Sequence, residues 1–232
     1  MAGRCTPNNS AMRSCVSQRV SPLSSTSTFT APNPSPSRTR RFGGFRYFHG
    51  FAGEFLLAFS RTAQTYDDTL WQTLAEQGLL GVAIPESAGG TGFGLVELCI
   101  VLEEQGRRVA PVPLYASTVL GGLPIAEFGS EAQLQRYLPA LGAGEAKFSA
   151  AIAELGMNVA VASTVTATQE NNTWRLDGHK AVVPDGAVAD FILVPAQESN
   201  GRQTVFIIDT GAPGVSVQPV DIGLSGERAA HL

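Results

Sequence analysis

Adjacent carboxylates at Glu103-Glu104 are the first place in the chain to look for general acid–base chemistry. Successive residues on a helix point about 100° apart, so two such neighbours do not converge on one reacting atom. They close an apolar run, Leu95 to Leu102, and are expected in solvent at the helix end. Gly89, Gly90, Gly92 and Gly94 form a glycine-rich loop. A phosphate cradle would follow a strand and carry a GK[ST] or GxGxxG order, and this loop has neither, so it reads as tight turns. Cys5, Cys15 and Cys99 are odd in number and widely spaced, which argues against a disulfide framework or a zinc site, and Cys99 reads as a core thiol of an apolar helix. His49, His179 and His231 have no acid or nucleophile beside them. No Cys/His or Ser/His/Asp constellation assembles, so neither a catalytic nor a metal-ligating set is predicted from spacing alone.

The elements that would position any site are clearer. Asp67-Asp68 precede Leu70, Trp71, Leu74, Ala75 and Leu79, an acidic N-cap followed by apolar residues at helical spacing. Gly78 and Gly81 weaken that helix, and Ile84-Pro85 is expected to end it. The next helix contains Leu95 to Leu102, and its nearly unbroken apolar run predicts burial around most of its circumference. Leu114 to Phe128 reads as a helical segment interrupted at Gly121-Gly122 and Pro124, with Gly129 as its stop. Ser130 and Gln133 form an S-x-x-Q capping box for a helix with Leu134, Tyr137, Leu138 and Leu141 on its apolar side. After Lys147 the period falls from about 3.6 to 2. The candidate strands are 147–153, 159–168, 173–176, 179–183, 191–196, 204–209 and 215–220, with hairpin turns at Asp177-Gly178 and Asn200-Gly201. The predicted architecture is α+β: a helical domain, 54–146, then an antiparallel, barrel-like β domain, 147–232.

Several of these segments together resemble the acyl-CoA dehydrogenase family over Tyr66 to Leu232. The helix–loop–helix opening at Tyr66 to Pro113 is similar to that family's N-terminal helical domain. Phe128-Gly129-Ser130-Glu131-Ala132-Gln133, then Tyr137-Leu138-Pro139 and Gly144-Glu145, resembles its "fG(s/t)eeqk..ylp.l..Ge" segment. Leu176 to Lys180, followed by Ala189-Asp190 and Val194-Pro195-Ala196, resembles "LnGxKxxItna..Adxxlvxa". The resemblance implies FAD as cofactor, an acyl-CoA as substrate and oxidation of its Cα–Cβ bond, in which a carboxylate takes the α-proton and the β-hydrogen leaves as hydride to the flavin. It also implies a homo- or hetero-oligomer. In the family the catalytic carboxylate lies in a C-terminal helical bundle, which this sequence ends before, so a truncated form is expected and no catalytic residue is assigned.

Carried over position by position, the resemblance places the cofactor against Ile152, Ala153, Val182, Val183 and Pro184. Where the family has a T-E-P-x-x-G-S-D run, this chain has Ala153-Glu154-Leu155-Gly156-Met157-Asn158-Val159-Ala160, so Ala153 replaces the threonine and Val159 the serine. Where Trp-Ile-Thr or Trp-Ile-Ser faces the isoalloxazine ring, this chain has Val182-Val183-Pro184, and Pro184 brings no N–H. Only backbone atoms at Ile152, Ala153 and Val183 and the shape of the strand are left to contact a flavin. Some family members form mixed oligomers in which one chain has lost its flavin contacts, notably in bacterial steroid- and fatty-acid-degrading sets. A partner chain of that kind is therefore an alternative to an active flavoprotein, and a decayed gene fragment is a third.

Residues 1–53 have a different character. They hold seven Arg and no Lys, Asp or Glu, so the remaining nine of the 16 basic residues face all 20 acidic ones. Ser, Thr, Pro and Asn dominate this tail, a composition that cannot bury a core and is expected to be disordered. An acid-free, Arg- and Ser-rich tail also suits an organellar transit peptide, which sets a mitochondrial location beside the cytoplasmic one, or an upstream extension without a selected role. Its arginines are too thinly spread for a nucleic-acid arm. With 44% hydrophobic content over 232 residues, the chain can form two small domains, and its apolar runs are too short for a membrane span.

Overall fold

The computed structural model describes residues 16–18, 66–152, 163–171, 173–220 and 228–232. Asp67 caps α1 (Asp68–Glu76) by accepting the Leu70 N–H at 2.9 Å, and Trp71 and Leu74 are buried on the inner face. Trp71 Nε1 donates to the Gly144 carbonyl at 2.9 Å, which ties α1 to the far end of the helical unit. A 3-10 turn, Glu86–Ala88, and a loop with Gly89 and Gly92 at positive φ lead into α2 (Leu95–Arg108).

Here the structure departs from the sequence reading. Leu98 and Val101 are the buried residues of α2, whereas Leu95, Val96 and Ile100 are 59, 70 and 43% exposed. Cys99 is exposed as well, so it is not a core thiol. The helix rests on its neighbours along a single i, i+3 stripe, and an unbroken apolar run does not say which stripe that is.

Leu114 to Phe128 is one helix rather than an interrupted one. Its first turn passes into a π-helical segment, Ala116–Gly122, and then into α3 (Leu123–Phe128). The Leu123 N–H reaches back five residues to the Thr118 carbonyl. Pro124, which has no N–H to give, falls in the first turn of α3, where it breaks no regular i→i−4 ladder. The expected capping box opens α4 (Glu131–Gly142): Ser130 N–H donates to Gln133 Oε1 at 2.8 Å and Gln133 N–H to Ser130 Oγ at 3.4 Å.

The strands are β1 (Val16–Gln18), β2 (Phe148–Ala150), β3 (Thr166–Glu170), β4 (Thr173–Asp177), β5 (Phe191–Glu198), β6 (Gln203–Asp209), β7 (Gln218–Pro219) and β8 (Ala230–His231). β1 lies within the segment read as a disordered tail and pairs antiparallel with β4; the rest of that tail lies outside the described residues. β5 is the hub. One edge takes β6 antiparallel, and the other takes β2 and then β3, both parallel. The fold is therefore the expected helical domain followed by a β domain, but the sheet is mixed rather than wholly antiparallel, and no closed barrel forms among the described residues. The parallel pairs arise because β2 enters directly from α4 and runs beside β5 instead of turning back on it.

Other differences are local. The β5–β6 hairpin turns at Asn200-Gly201 as expected, but Asp177-Gly178 is not a hairpin turn: β4 pairs with β3 through a turn beginning at Asn171, which has φ +46°. Residues 179–183 form no regular strand, because Val182 sits at φ +54° and breaks the ladder. Of 215–220, Gln218–Pro219 alone is extended and paired.

Alternation along β5 and β6 divides the interior in two. Leu193 and Ile207 join Trp71, Leu138, Leu141 and Phe148 under the helices, while Ile192, Val194, Phe206 and Ile208 pack with Val165, Leu176 and Val183 on the opposite face.

Candidate functional site

The seam between helix and sheet is built first by one hydroxyl. Ser117, fully buried in the π segment, donates to the Phe148 carbonyl at 3.2 Å and accepts the Phe148 N–H at 3.1 Å, so one side chain satisfies both backbone groups of that β2 residue. Beside it Tyr137 meets Phe148 and Phe191 edge-on, at centroid separations of 6.0 and 5.2 Å, while Phe148 and Phe191 stack at 5.3 Å. Burial pushes the Tyr137 phenol above its ordinary range.

On the other side of β2 lies the turn that the resemblance places against a flavin. Fully buried Ser149 donates its hydroxyl to the Pro184 carbonyl, clamping the turn onto β2. Val183 is buried, and its N–H and C=O are both taken by Ala230 of β8, at 2.7 and 3.0 Å. The Val182 N–H donates to His231 Nδ1 at 3.3 Å. Lys180 and Leu232 exchange a further pair of backbone bonds at 2.8 Å, so β8 and the residue after it line the inner edge of the turn.

The turn offers a flavin no free backbone N–H at Val182, Val183 or Pro184. The backbone donors at Val182 and Val183 are already engaged, Pro184 has none, and its carbonyl is taken by Ser149. The side chains here are two valines and a proline, with no hydroxyl or indole to offer a flavin. The flavin's polar edge would be left unpaired on this side, at about 1–3 kcal/mol for each lost partner. Of the other predicted contacts, Ala153 lies outside the described residues. Ile152 is 46% exposed, and its side chain lies at the mouth of an apolar cavity of about 290 Å³ between α3 and the sheet.

The remaining chemistry-bearing residues stay apart. Glu103 and Glu104 each pair with Arg107, at 2.9 and 3.0 Å, but they do not end the helix as expected: α2 runs on to Arg108, and Glu104 is partly buried. His179 is exposed and its ring centre is 5.5 Å from that of His231. No cluster of three or more metal-ligating side chains occurs among the described residues. Sequence reasoning missed Ser117 and Ser149, whose buried positions become meaningful only when helix and strand meet. It also missed Lys180, buried with Nζ 3.0 Å from Ser163 Oγ, which itself donates to the Pro195 carbonyl at 2.6 Å. A lysine just before the apolar Ala181-Val182-Val183 run was the available signal.

Residues 51–145 match the family model described as the acyl-CoA dehydrogenase N-terminal domain, and residues 149–232 match the acyl-CoA dehydrogenase middle domain. The chain belongs to the acyl-CoA dehydrogenase family. It is 37% identical over 155 residues to acyl-CoA dehydrogenase FadE27 of Mycobacterium tuberculosis, a match covering 66% of this chain and 40% of that relative. Among solved structures it resembles the Tcur3481–Tcur3483 steroid ACAD, with TM-score 0.72 and 41% identity over 79% of this chain and 50% of the other. It also resembles the ChsE4–ChsE5 complex of M. tuberculosis, with TM-score 0.69 and 33% identity over 77% and 47%. An acyl-CoA dehydrogenase of Bacillus anthracis solved with FAD gives TM-score 0.64 and 29% identity over 70% and 29%. The chain thus spans about half or less of the relatives it matches. No helix among the described residues is long and apolar enough to cross a membrane.

Proposed function

We propose that this chain serves the FAD-dependent oxidation of an acyl-CoA Cα–Cβ bond as the flavin-poor partner in a mixed acyl-CoA dehydrogenase oligomer. The observation that carries this reading is the Val182-Val183-Pro184 turn, sealed by β8 and by Ser149, with no donor left for a flavin. The helix–sheet seam built on Ser117, Phe148 and Phe191 stands beside it. Two of the similar structures carry paired names, Tcur3481–Tcur3483 and the ChsE4–ChsE5 complex, which supports a heteromer over a self-sufficient enzyme. In such an assembly this chain's residues shape and pack the oligomer, and the flavin and the proton-abstracting carboxylate belong to the partner.

The test is flavin content. Purified alone, the full chain should be colourless, and co-expressed with a FAD-retaining relative it should co-purify as a yellow complex whose FAD is counted by the relative alone. A Pro184→Thr variant, which restores an N–H and a hydroxyl at the turn, should bind more flavin than the parent chain. Stoichiometric FAD on the parent chain by itself would overturn the partner reading and favour an independent flavoprotein.

A further inference from the structure

One edge of β4 takes β3, and the other takes β1, a strand from the Arg-rich tail. Residues 16–18 lie outside both matched family segments, 51–145 and 149–232, so that edge is covered by a part of the chain that neither segment includes. An open strand edge presents a row of unpaired N–H and C=O groups, which an extended backbone in register can satisfy. Without β1, β4 would be such an edge among the described residues. The side of the pair that belongs to the β domain is firmly held. β4 pairs with β3 over all five residues of both strands, Leu176 is buried with Ala167 and Val165, and Trp174 meets Phe206 at a ring separation of 5.2 Å. β1 brings three residues: Val16 opposite Leu176, Ser17 opposite Arg175 and Gln18 opposite Trp174. A ladder this short holds few backbone hydrogen bonds, each of modest net worth, so the strand is exchangeable while the edge is permanent.

Charge supplies the selectivity. Residues 1–53 hold seven Arg and no acid, whereas the rest of the chain sets nine basic residues against 20 acidic ones. Arg13 and Arg19 bracket β1 in sequence. The register runs Gln18 toward the Glu170 end of the β3–β4 pair and Val16 toward the Asp177 end, so each end of β1 leads to an acid. Arg175, the basic residue of these two strands, pairs with Glu170 at 3.6 Å, which leaves the pair of strands net negative. We propose that the outer edge of β4 is a strand-addition site for a short, basic, extended peptide segment, and that this chain fills it with its own residues 16–18. The site rests on the β3–β4 pair and its register and involves no flavin, so it holds whichever way the flavin test falls.

The test compares the full-length chain with a full-length variant carrying Val16→Pro, Ser17→Pro and Gln18→Pro. The three prolines remove every N–H that β1 could donate, whichever of its alternating pairs carries the ladder bonds. The substitutions lie outside both family segments, so the helical and β domains keep their own packing. Hydrogen exchange should be at least tenfold faster in the variant at one or more amides of residues 173–177, with the amides of β5 unchanged. A fluorescein-labelled peptide of residues 11–22 with Cys15→Ser, followed by fluorescence anisotropy, should bind the variant at least tenfold more tightly than the parent, whose edge is taken. The same peptide with the three prolines should not bind, and one with Arg13→Gln and Arg19→Gln should bind at least threefold more weakly. Unchanged exchange along β4, equal binding of the peptide to parent and variant, or binding by the proline peptide would each overturn the proposal. Equal binding by the peptide without arginine would overturn the basic character of the segment. A parent chain that sediments as a dimer and becomes monomeric with the three prolines would put the tail on a second copy and overturn its filling of its own edge.

Discussion

Gly121→Ala and Gly122→Ala differ by one position in the same π segment, and the structure predicts opposite consequences. Alanine is worth about 1 kcal/mol over glycine in a helix interior, and both variants gain that. At Gly122 the new Cβ meets Leu141 Cδ2 at 2.7 Å, the far end of a flexible side chain that can rotate away. At Gly121 it meets Phe148 Cβ at 2.2 Å and Cγ at 3.1 Å. Carbon atoms prefer about 3.5–4.0 Å, so this contact is more than 1 Å too short, and the Phe148 Cβ moves only with its strand. That strand is itself held by the Ser117 hydroxyl at 3.1 and 3.2 Å, so separating the layers also stretches two buried hydrogen bonds. Overpacking costs about 1–3 kcal/mol, and weakening the buried hydrogen bonds about 1–2 more. After the helix gain, Gly121→Ala should lose about 1–4 kcal/mol, while Gly122→Ala stays within about 1 kcal/mol of the parent. Urea denaturation followed by far-UV circular dichroism measures both. Equal stability of the two variants, or a Gly121→Ala variant as stable as the parent, would refute the account of the seam.

Ser149→Ala removes the clamp on the Pro184 carbonyl and leaves that acceptor unpaired, which should lower stability by about 1–2 kcal/mol and speed amide exchange at Val183 and Gly186. Thr204→Val tests the β5–β6 hairpin: the Thr204 hydroxyl above all, working against burial, holds Glu198 below its ordinary range, with Asn200 and Arg202 adding to it. A carboxylate with a lowered folded-state pKa contributes stability above its unfolded value that is lost as pH falls through the folded one. The gap in melting temperature between parent and variant should therefore narrow from pH 7 to pH 3, and a constant gap would show that the hydroxyl does not tune Glu198. In a chain with Cys5 and Cys15 changed to serine, exposed Cys99 should react fully with a thiol reagent under native conditions; labelling only on unfolding would restore the core reading.

What the sequence disclosed was mostly local. The Asp67 cap and the Ser130–Gln133 box are complete within four residues, so type and spacing determine them. The side of α2 that is buried is not local information: its apolar run has no period, and the choice of Leu98 and Val101 is made by distant packing. The π segment was read as an interruption because Gly121-Gly122 and Pro124 lower helix propensity. Their actual roles, close approach to Phe148 and the first turn of α3, need a strand that lies about 25 residues further along the chain. The β3–β4 turn was overlooked in favour of Asp177-Gly178, although Asn171 accepts positive φ nearly as well.

The Val182-Val183-Pro184 turn shows the same division. Its substitutions were visible residue by residue, but the way it closes was not, because Ala230 and His231 reach it from about 50 residues away. Among the described residues, none of the Tyr137, Phe148 and Phe191 ring contacts at the helix–sheet seam involves Val182, Val183 or Pro184. The Ser149 hydroxyl is the direct link: β2 presents Phe148 to the helices and Ser149 to the turn from adjacent residues on opposite faces. A chain built in this way can exchange its flavin donors for valine and proline with little loss of fold. Under the proposed function, that independence is what would keep the chain's shape while a partner holds the cofactor.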